Sequence, residues 1–252
     1  ADVFVVNKAD RPGADLTRRD LESMLDLTGS GHGRWRPPVV SAVGTTGDGA
    51  GDVWDAIVAH RAHLEGTGEL ERRRHHRVRD ELAELWGHIA TEFADEPGVA
   101  GFDLLNEPGY SFSQDATLLG LAAFYRDAVR EIRAAERRAE ARGHIVFFEP
   151  TVNGPFVAPG FSDDANLVFA PHNFGESIGP SLPGLLDLLT DALQLLADAY
   201  GTTTWIGEYG SFTSDPVART EYMARFNRLQ DRAPGAGGTW WQWEQQCGDP
   251  HD

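Results

Sequence analysis

The sequence is poor in cysteine, with Cys247 alone among 252 residues. A single cysteine excludes an internal disulfide framework and a cysteine metal cluster, and it leaves the redox compartment open. Basic charge is also short. Lys and Arg number 22 against 39 Asp and Glu, for a formal net charge of −17. Such a surface repels polyanions, so nucleic acid is not an expected partner, and the local run Arg72–Arg79 reads as a solvated helix face. Long apolar runs are missing too. None approaches the ~20 residues of a membrane span, and the Leu-rich stretches are broken by Asp and Gln. Finally, there is no initiator Met, basic leader or signal-type apolar segment. The chain opens on Ala1-Asp2-Val3-Phe4, already inside a strand pattern, which predicts a native N-terminus upstream. What is present is globular: 41% of the residues are hydrophobic, enough for one large core or two small ones.

The first eighty residues read as strand, helix, strand, helix. Asp2–Val6 is a continuous β-branched and aromatic run, expected to be a strand buried on both faces. Leu16–Leu27 has helical spacing through Leu21, Met24 and Leu25, and Gly29–Gly33 closes it. Pro38–Val43 reads as a second strand, and the Gly-rich turn Gly44–Gly51 leads into a helix through Val53, Ile57 and Leu64.

Between the first strand and the first helix stands Asn7-Lys8-Ala9-Asp10. This matches the NKxD motif by which P-loop GTPases read guanine, the Asp accepting from the ring N–H and exocyclic amine. With the stretches WRPPVV and HRAHLEGTGELERRR, residues 1–80 resemble the later part of the GTPase chaperones associated with methylmalonyl-CoA mutase. The resemblance implies a guanine-binding role for Asn7, Lys8 and Asp10, with Ser41-Ala42 as the second base-contacting loop. A working nucleotide switch also needs a Gly-rich loop with Lys and Ser or Thr to hold phosphates, and no G-x-x-x-x-G-K-[ST] occurs in the chain. The segment is therefore expected to be a remnant without cofactor, its guanine motif vestigial.

Leu82, Leu85, Trp86, Ile89, Ala90 and Phe93 follow at helical spacing and predict an amphipathic helix ended by Asp95-Glu96-Pro97-Gly98. No flexible linker separates it from the basic run before it. The two halves are expected to join within one helix near Asp80–Leu85, an unusual place for a domain boundary and the mark of a truncated or rearranged reading frame.

From Val99 onward, short apolar strands end in polar tips and alternate with helices. Gly101–Leu105 ends in Asn106-Glu107-Pro108, His144–Phe148 in Glu149-Pro150, Asn166–Ala170 in Pro171-His172-Asn173-Phe174, and Thr203–Gly207 in Glu208-Tyr209-Gly210. Gly238–Trp243 is the last strand. Helices are expected over Ala116–Arg142, Leu182–Tyr200 and Val217–Gln230, with one irregular crossover around Thr151–Ala165. Polar residues gathered at the C-terminal ends of strands in βα units point to part of a (β/α)8 TIM-type barrel. Two carboxylates at such tips are what glycoside hydrolysis requires, one to protonate a poor leaving oxygen and one to capture the oxocarbenium-like centre. Trp rings offer flat apolar platforms for sugar faces.

The order NEP, PHNF, GEYG and WWQW resembles glycoside hydrolase family 5, over residues 84–252, with GFDLLNEP, FFEP and TWWQWEQQCGDPH leaning toward endoglycoceramidase-like members. The resemblance implies a retaining β-glycosidase without metal or cofactor. By position Glu107 is the acid/base, Glu208 the nucleophile, Asn106 the donor to the sugar 2-hydroxyl, His172 a substrate-orienting group and Trp243 the sugar platform. The family often has His-x-Tyr where this chain has His172-Asn173-Phe174. From the residues alone, His172 reads either as a site residue or as a satisfied core histidine, Glu149 as a support of the site or a structural residue, and Trp243 as platform or core. The first three barrel strands have no counterpart before residue 84.

The expected fold is thus α/β, barrel strands 4–8 preceded by two βα units, with domains 1–80 and 84–252. A seven-stranded improvised barrel or an open sheet joining all strands is the alternative. The expected activity is hydrolysis of a β-glycosidic bond in a carbohydrate or glycolipid. Its rivals are a GTP-binding chaperone of a cobalamin enzyme and a fusion product without activity. The glycosidase half suggests export and the GTPase half the cytoplasm.

Overall fold

The structure, a computed structural model, describes residues 2–27, 35–109, 114–151, 160–161, 163–177, 182–232, 235 and 237–241. Elements run β1 (Phe4–Asn7), α1 (Ala14–Leu27), β2 (Val39–Ala42), α2 (Ala50–Gly66), α3 (Glu69–Glu92), β3 (Gly101–Asp103), α4 (Gln114–Arg138), β4 (Ile145–Phe148), β5 (Leu167–Phe169), α5 (Leu185–Tyr200), β6 (Thr203–Tyr209), α6 (Pro216–Gln230) and β7 (Gly237–Trp240). The chain divides into two compact units, Ala1–Val78 and Arg79–Asp252, and the division falls inside α3. Among the described residues the strands form two separate sheets, β1-β2 and β3-β4-β5-β6-β7, and no pairing joins the seven strands into one.

In the first unit β1 and β2 pair in parallel, Phe4 opposite Val39 and Asn7 opposite Ala42, with α1 as the crossover. The expectation of a strand buried on both faces does not hold. Val6 is buried, but Val5 is 45% exposed, because a two-stranded sheet covers only one face. The basic run from Arg72 to Val78 lies on α3 as a solvent-facing stretch, with local pairs such as Arg72–Glu69 and Arg74–Glu71, whereas Arg79 at its end is half-buried and pairs with the buried Asp127. Exposed i,i+3 pairs of this kind add little stability.

The second unit is a curled parallel sheet whose strands follow sequence order, the C-terminal portion of a TIM-type barrel. Its convex face is the core. Phe102, Val146, Phe148, Phe169, Ile206 and Tyr209 pack with Tyr125, Ile132, Leu186 and Phe226 from α4, α5 and α6. Fully burying each large side chain contributes about 1.5–3 kcal/mol of transfer free energy. α4 reaches this core because Leu121, Phe124, Tyr125, Ala128, Val129, Ile132 and Ala135 recur on one face. α5 is stopped by Gly201, left-handed at φ 69°, whose N–H bonds back to Ala197 and Asp198. α6 is started by Asp215, whose side chain accepts the Val217 N–H, with Pro216 beginning the helix.

α3 keeps half of its expected stripe. Ala90 is buried and Trp86 and Ile89 pack against the core, whereas Leu82, Leu85 and Phe93 are exposed and Ala83 and Gly87 are buried instead. The helix lies so close to α4 that a side chain at Gly87 would meet Glu131 Cβ at 3.1 Å, which favours the small-residue stripe over the large one. Most of the crossover expected around Thr151–Ala165 lies outside the described residues. No helix among the described residues is long and apolar enough to cross a membrane.

Candidate active site

β3 stops at Asp103, and the buried Leu104 behind it is pinned by Trp86 of α3, whose indole N–H donates to the Leu104 carbonyl at 3.2 Å. The chain then turns through Asn106 and Glu107, and Glu107 adopts φ 44°. That left-handed conformation costs a residue with a Cβ about 1–2 kcal/mol. A single acceptor holds it there: Glu149 Oε2 takes the Glu107 N–H at 2.7 Å. Charge-assisted hydrogen bonds of this kind are worth about 1.5–3 kcal/mol, enough to offset the strain.

Glu149 is itself fixed. It follows directly on β4, is 2% exposed, and has both backbone polar groups clamped by the buried Tyr125 of α4. The Tyr125 hydroxyl donates to the Glu149 carbonyl at 2.8 Å and accepts its N–H at 3.3 Å.

His172 extends the line of β5 past its last paired residue. The ladder continues there through Gly207 N–H to the Pro171 carbonyl, 3.0 Å, and Asn173 N–H to the Glu208 carbonyl, 2.9 Å. Gly207 is what lets the imidazole lie against β6, because a Cβ there would stand 3.0 Å from His172 Cδ2. Asn173 is buried, its amide donating to Thr190 and its carbonyl oxygen accepting the Gly175 N–H.

Glu208 reaches the site through an irregularity in β6. Ile206 and Tyr209 both turn to the convex core, where Tyr209 stacks on Phe226 at 3.5 Å, although strict alternation would put them on opposite faces. The register shift between them resolves this. Ile206 pairs with Gly238 and Tyr209 with Trp240, so three steps on β6 oppose two on β7. Such a bulge re-aims side chains, and here it swings Glu208 onto the concave face with His172. Trp241, just past β7, donates its N–H to the Tyr209 carbonyl at 2.7 Å, and a Cβ on Gly210 would collide with the Trp241 carbonyl oxygen at 1.9 Å.

Four groups therefore converge. His172 Nδ1 stands 2.8 Å from Glu107 Oε1 and 3.5 Å from Glu208 Oε2, and its Nε2 is 3.2 Å from Glu149 Oε1. The last contact is an ion pair at a poor hydrogen-bonding angle. Among the described residues Oε1 has no well-aligned donor, and the His172 ring is the group beside it that can carry positive charge. A carboxylate oxygen of Glu107 and one of Glu208 lie within 4.8 Å of each other. Retaining glycosidases have carboxyl groups ~5–5.5 Å apart and inverting ones ~6.5–9.5 Å.

The electrostatics follow from this crowding. Burial opposes charge on His172, but the contacts with Glu149 and Glu107 and the charges of Glu149 and Glu208 outweigh it and push its pKa up to about 9. Glu208 is raised, by desolvation first, with His172 opposing and Glu107 and Glu149 adding. Asp103, open to solvent on one side, is pushed up to about 6 by desolvation and by Glu149 and Glu208, with His172 again opposing. Glu107, His172 and Glu208 are also the donor set a divalent cation would choose among the described residues, but each already has a partner of opposite charge in this cluster. A cavity of about 520 Å³ lies at the other end of the sheet, against Ile145, Leu167 and Thr203 where β4, β5 and β6 begin, and holds none of these groups.

Of the residues expected from the sequence, Glu107, His172 and Glu208 come together, and Asn106 is exposed in the same turn. Trp243 lies outside the described residues. Trp240 packs on Tyr209 and Tyr222 in the core, and Trp241 is 43% exposed. Asn7, Lys8 and Asp10 belong to the first unit. There Asn7 Oδ1 accepts the N–H groups of Lys8 and Gly44, and the Ala9 N–H donates to Ala42, tying the motif to the Ser41-Ala42 loop. Sequence reasoning missed Tyr125, and it missed Asp103, whose signal was a lone carboxylate inside an apolar strand.

A barrel-type parallel sheet with two glutamates close-set at strand ends is the architecture of a carboxylate-pair glycoside hydrolase. Comparison with known proteins makes this specific. Residues 56–246 match the cellulase family, glycosyl hydrolase family 5, and the chain belongs to it. Residues 1–93 match the methylmalonyl Co-A mutase-associated GTPase MeaB family, so the two matches overlap across 56–93. A crystal structure of endogalactoceramidase is 35% identical with a TM-score of 0.60, covering 69% of this chain and 39% of that one. Endoglucanase Cel5A of Thermotoga maritima, 16% identical with a TM-score of 0.52 over 68% of this chain and 60% of that one, shares the fold. A Pyrococcus horikoshii protein assigned as a GTPase is 44% identical over 94 residues, 36% of this chain and 30% of that protein. An endoglycoceramidase of Hydra vulgaris is 33% identical over 90 residues, 34% of this chain and 17% of that protein. The chain spans less than a third of the length of these two curated relatives.

Proposed function

We propose that this chain hydrolyses a β-glycosidic bond with retention of configuration, using Glu107 as acid/base and Glu208 as nucleophile. The approach of the two carboxylates to within 4.8 Å carries the reading. In the first step Glu208 attacks the anomeric carbon as the glycosidic bond breaks, and Glu107 gives its proton to the leaving oxygen. In the second, Glu107 takes a proton from water, which attacks the anomeric carbon and releases Glu208. His172, between the two, orients substrate; Asn106 donates to the sugar 2-hydroxyl, and Trp243 supplies an apolar platform. The likeness to endogalactoceramidase at 35% identity favours a glycolipid or other β-linked glycoside as substrate. In this reading residues 84–252 are the glycosidase domain and residues 1–80 a GTPase-derived one, and no metal or cofactor takes part. Purified protein is expected to release the chromophore from an aryl β-glucoside or β-cellobioside, and Glu208→Gln to abolish release. Release that survives Glu208→Gln sinks the assignment of the nucleophile.

A second reading concerns the first unit alone. The bonds tying Asn7 to Gly44 and Ala9 to Ala42 favour guanine recognition by Asp10. Calorimetry with GTP tests it: heat of binding that Asp10→Ala removes supports it, and a flat titration dismisses it.

A further inference from the structure

We infer that Glu149 is a positioning residue for the catalytic pair: from behind the site, its two carboxylate oxygens hold the Glu107 main chain and the His172 ring separately. This rests on the hydrolase reading and goes beyond it, because Glu149 touches no substrate in that reading.

The geometry divides the labour. Oε2 takes the Glu107 N–H at 2.7 Å, and Glu107 is the residue with φ 44°. Oε1 faces His172 Nε2 at 3.2 Å. With Nε2 held beside Glu149 by charge, the ring presents Nδ1 to Glu107 Oε1 at 2.8 Å and to Glu208 Oε2 at 3.5 Å. A second proton, on Nδ1, is then donated to Glu107, and Glu208 stands near enough to feel the ring's charge. Glu149 is 2% exposed, and the Tyr125 hydroxyl fixes its backbone N–H and carbonyl. One buried carboxylate thus sets where the acid/base points and keeps a cation beside both catalytic groups. The titratable groups facing His172 are Glu107 from the turn after β3, Glu149 from the end of β4 and Glu208 from β6, with Asp103 of β3 adding its charge at longer range.

Glu149→Gln separates the two functions. The Gln carbonyl oxygen keeps the Glu107 N–H bond, and its NH2 group then faces His172 Nε2, where it favours an unprotonated nitrogen and a neutral ring. In the full chain with 15N-labelled histidine, the His172 midpoint is expected to fall from about 9 toward the ordinary 6.5. With an aryl β-glycoside, kcat is expected to fall about 100-fold with KM nearly unchanged. The alkaline limb of the pH profile is expected to move with the His172 midpoint, which a merely structural role would not produce. A midpoint unmoved by Glu149→Gln in a folded protein overturns the inference. If that variant fails to fold, Glu149→Asp takes its place: its shortened carboxylate is expected to lower the His172 midpoint, and an unmoved midpoint overturns the inference. The nuclear magnetic resonance readout needs no turnover. An active enzyme with an unmoved His172 therefore defeats this inference alone, and an inactive chain with a shifted His172 defeats the hydrolase reading alone.

Discussion

Replacing His172 by Gln removes the one cation among Glu107, Glu149 and Glu208, and the consequence can be read as stability against pH. The folded chain holds His172 at about 9 against 6.5 for the free side chain. At about 1.4 kcal/mol per pH unit, this displacement is worth about 3 kcal/mol in favour of folding, and with the side chain only 10% exposed solvent screens little of it. The sign follows from the raised pKa. The contribution is complete below pH 6.5, falls as pH rises, and is gone once pH passes 9. Urea unfolding followed by Trp fluorescence, run on wild type and His172→Gln from pH 6 to pH 9.5, gives the difference curve, which cancels the other histidines. The wild-type advantage is expected to shrink by about 3 kcal/mol over that range. An advantage that stays constant within about 0.5 kcal/mol would show that His172 is not held as an imidazolium, and the reasoning about the site's charges would fail with it.

Asp103→Asn has the opposite value at neutral pH. Because folding raises the Asp103 carboxyl to about 6, wild type loses stability as pH climbs from about 4 through 6, and the Asn variant does not. Its stability relative to wild type is expected to rise between pH 4 and pH 7, by less than the full displacement implies because the side chain is partly open to water; a difference independent of pH contradicts this. Tyr125→Phe leaves the Glu149 carbonyl and N–H without their buried partner and is expected to cost about 1–3 kcal/mol in urea unfolding. A loss below about 0.5 kcal/mol would mean that Tyr125 does not brace the β4 end.

Much of the fold was legible because the second unit repeats one signal. Short runs such as Ile145–Phe148 and Leu167–Phe169 end in polar residues and alternate with long amphipathic helices, and consecutive parallel strands then pair in sequence order. Glu107 and Glu208 were legible for the same reason, as acids at strand ends. What brings Glu208 to the concave face was not. Strict alternation groups it with Thr204 and Ile206, and only the bulge opposite β7 reverses that. The packing of α3 was half legible: Trp86, Ile89 and Ala90 face the core as their spacing suggests, but the closeness of α4 turns the buried face toward Ala83 and Gly87 and leaves Leu82, Leu85 and Phe93 outside. β1 looked doubly buried from composition, but burial depends on what covers each face, which no local pattern reports. Glu149 stayed ambiguous because the N–H it serves lies 42 residues away in sequence.

The central claim is that Glu208 forms a bond to sugar, and trapping that bond tests it most directly. Incubation with an activated 2-deoxy-2-fluoro β-glycoside, followed by intact mass and peptide mapping, is expected to add one glycosyl unit to the peptide carrying Glu208, and nothing to Glu208→Gln. Turnover of the parent glycoside with no adduct and an inverted anomeric product, or an adduct on a different residue, would contradict the account.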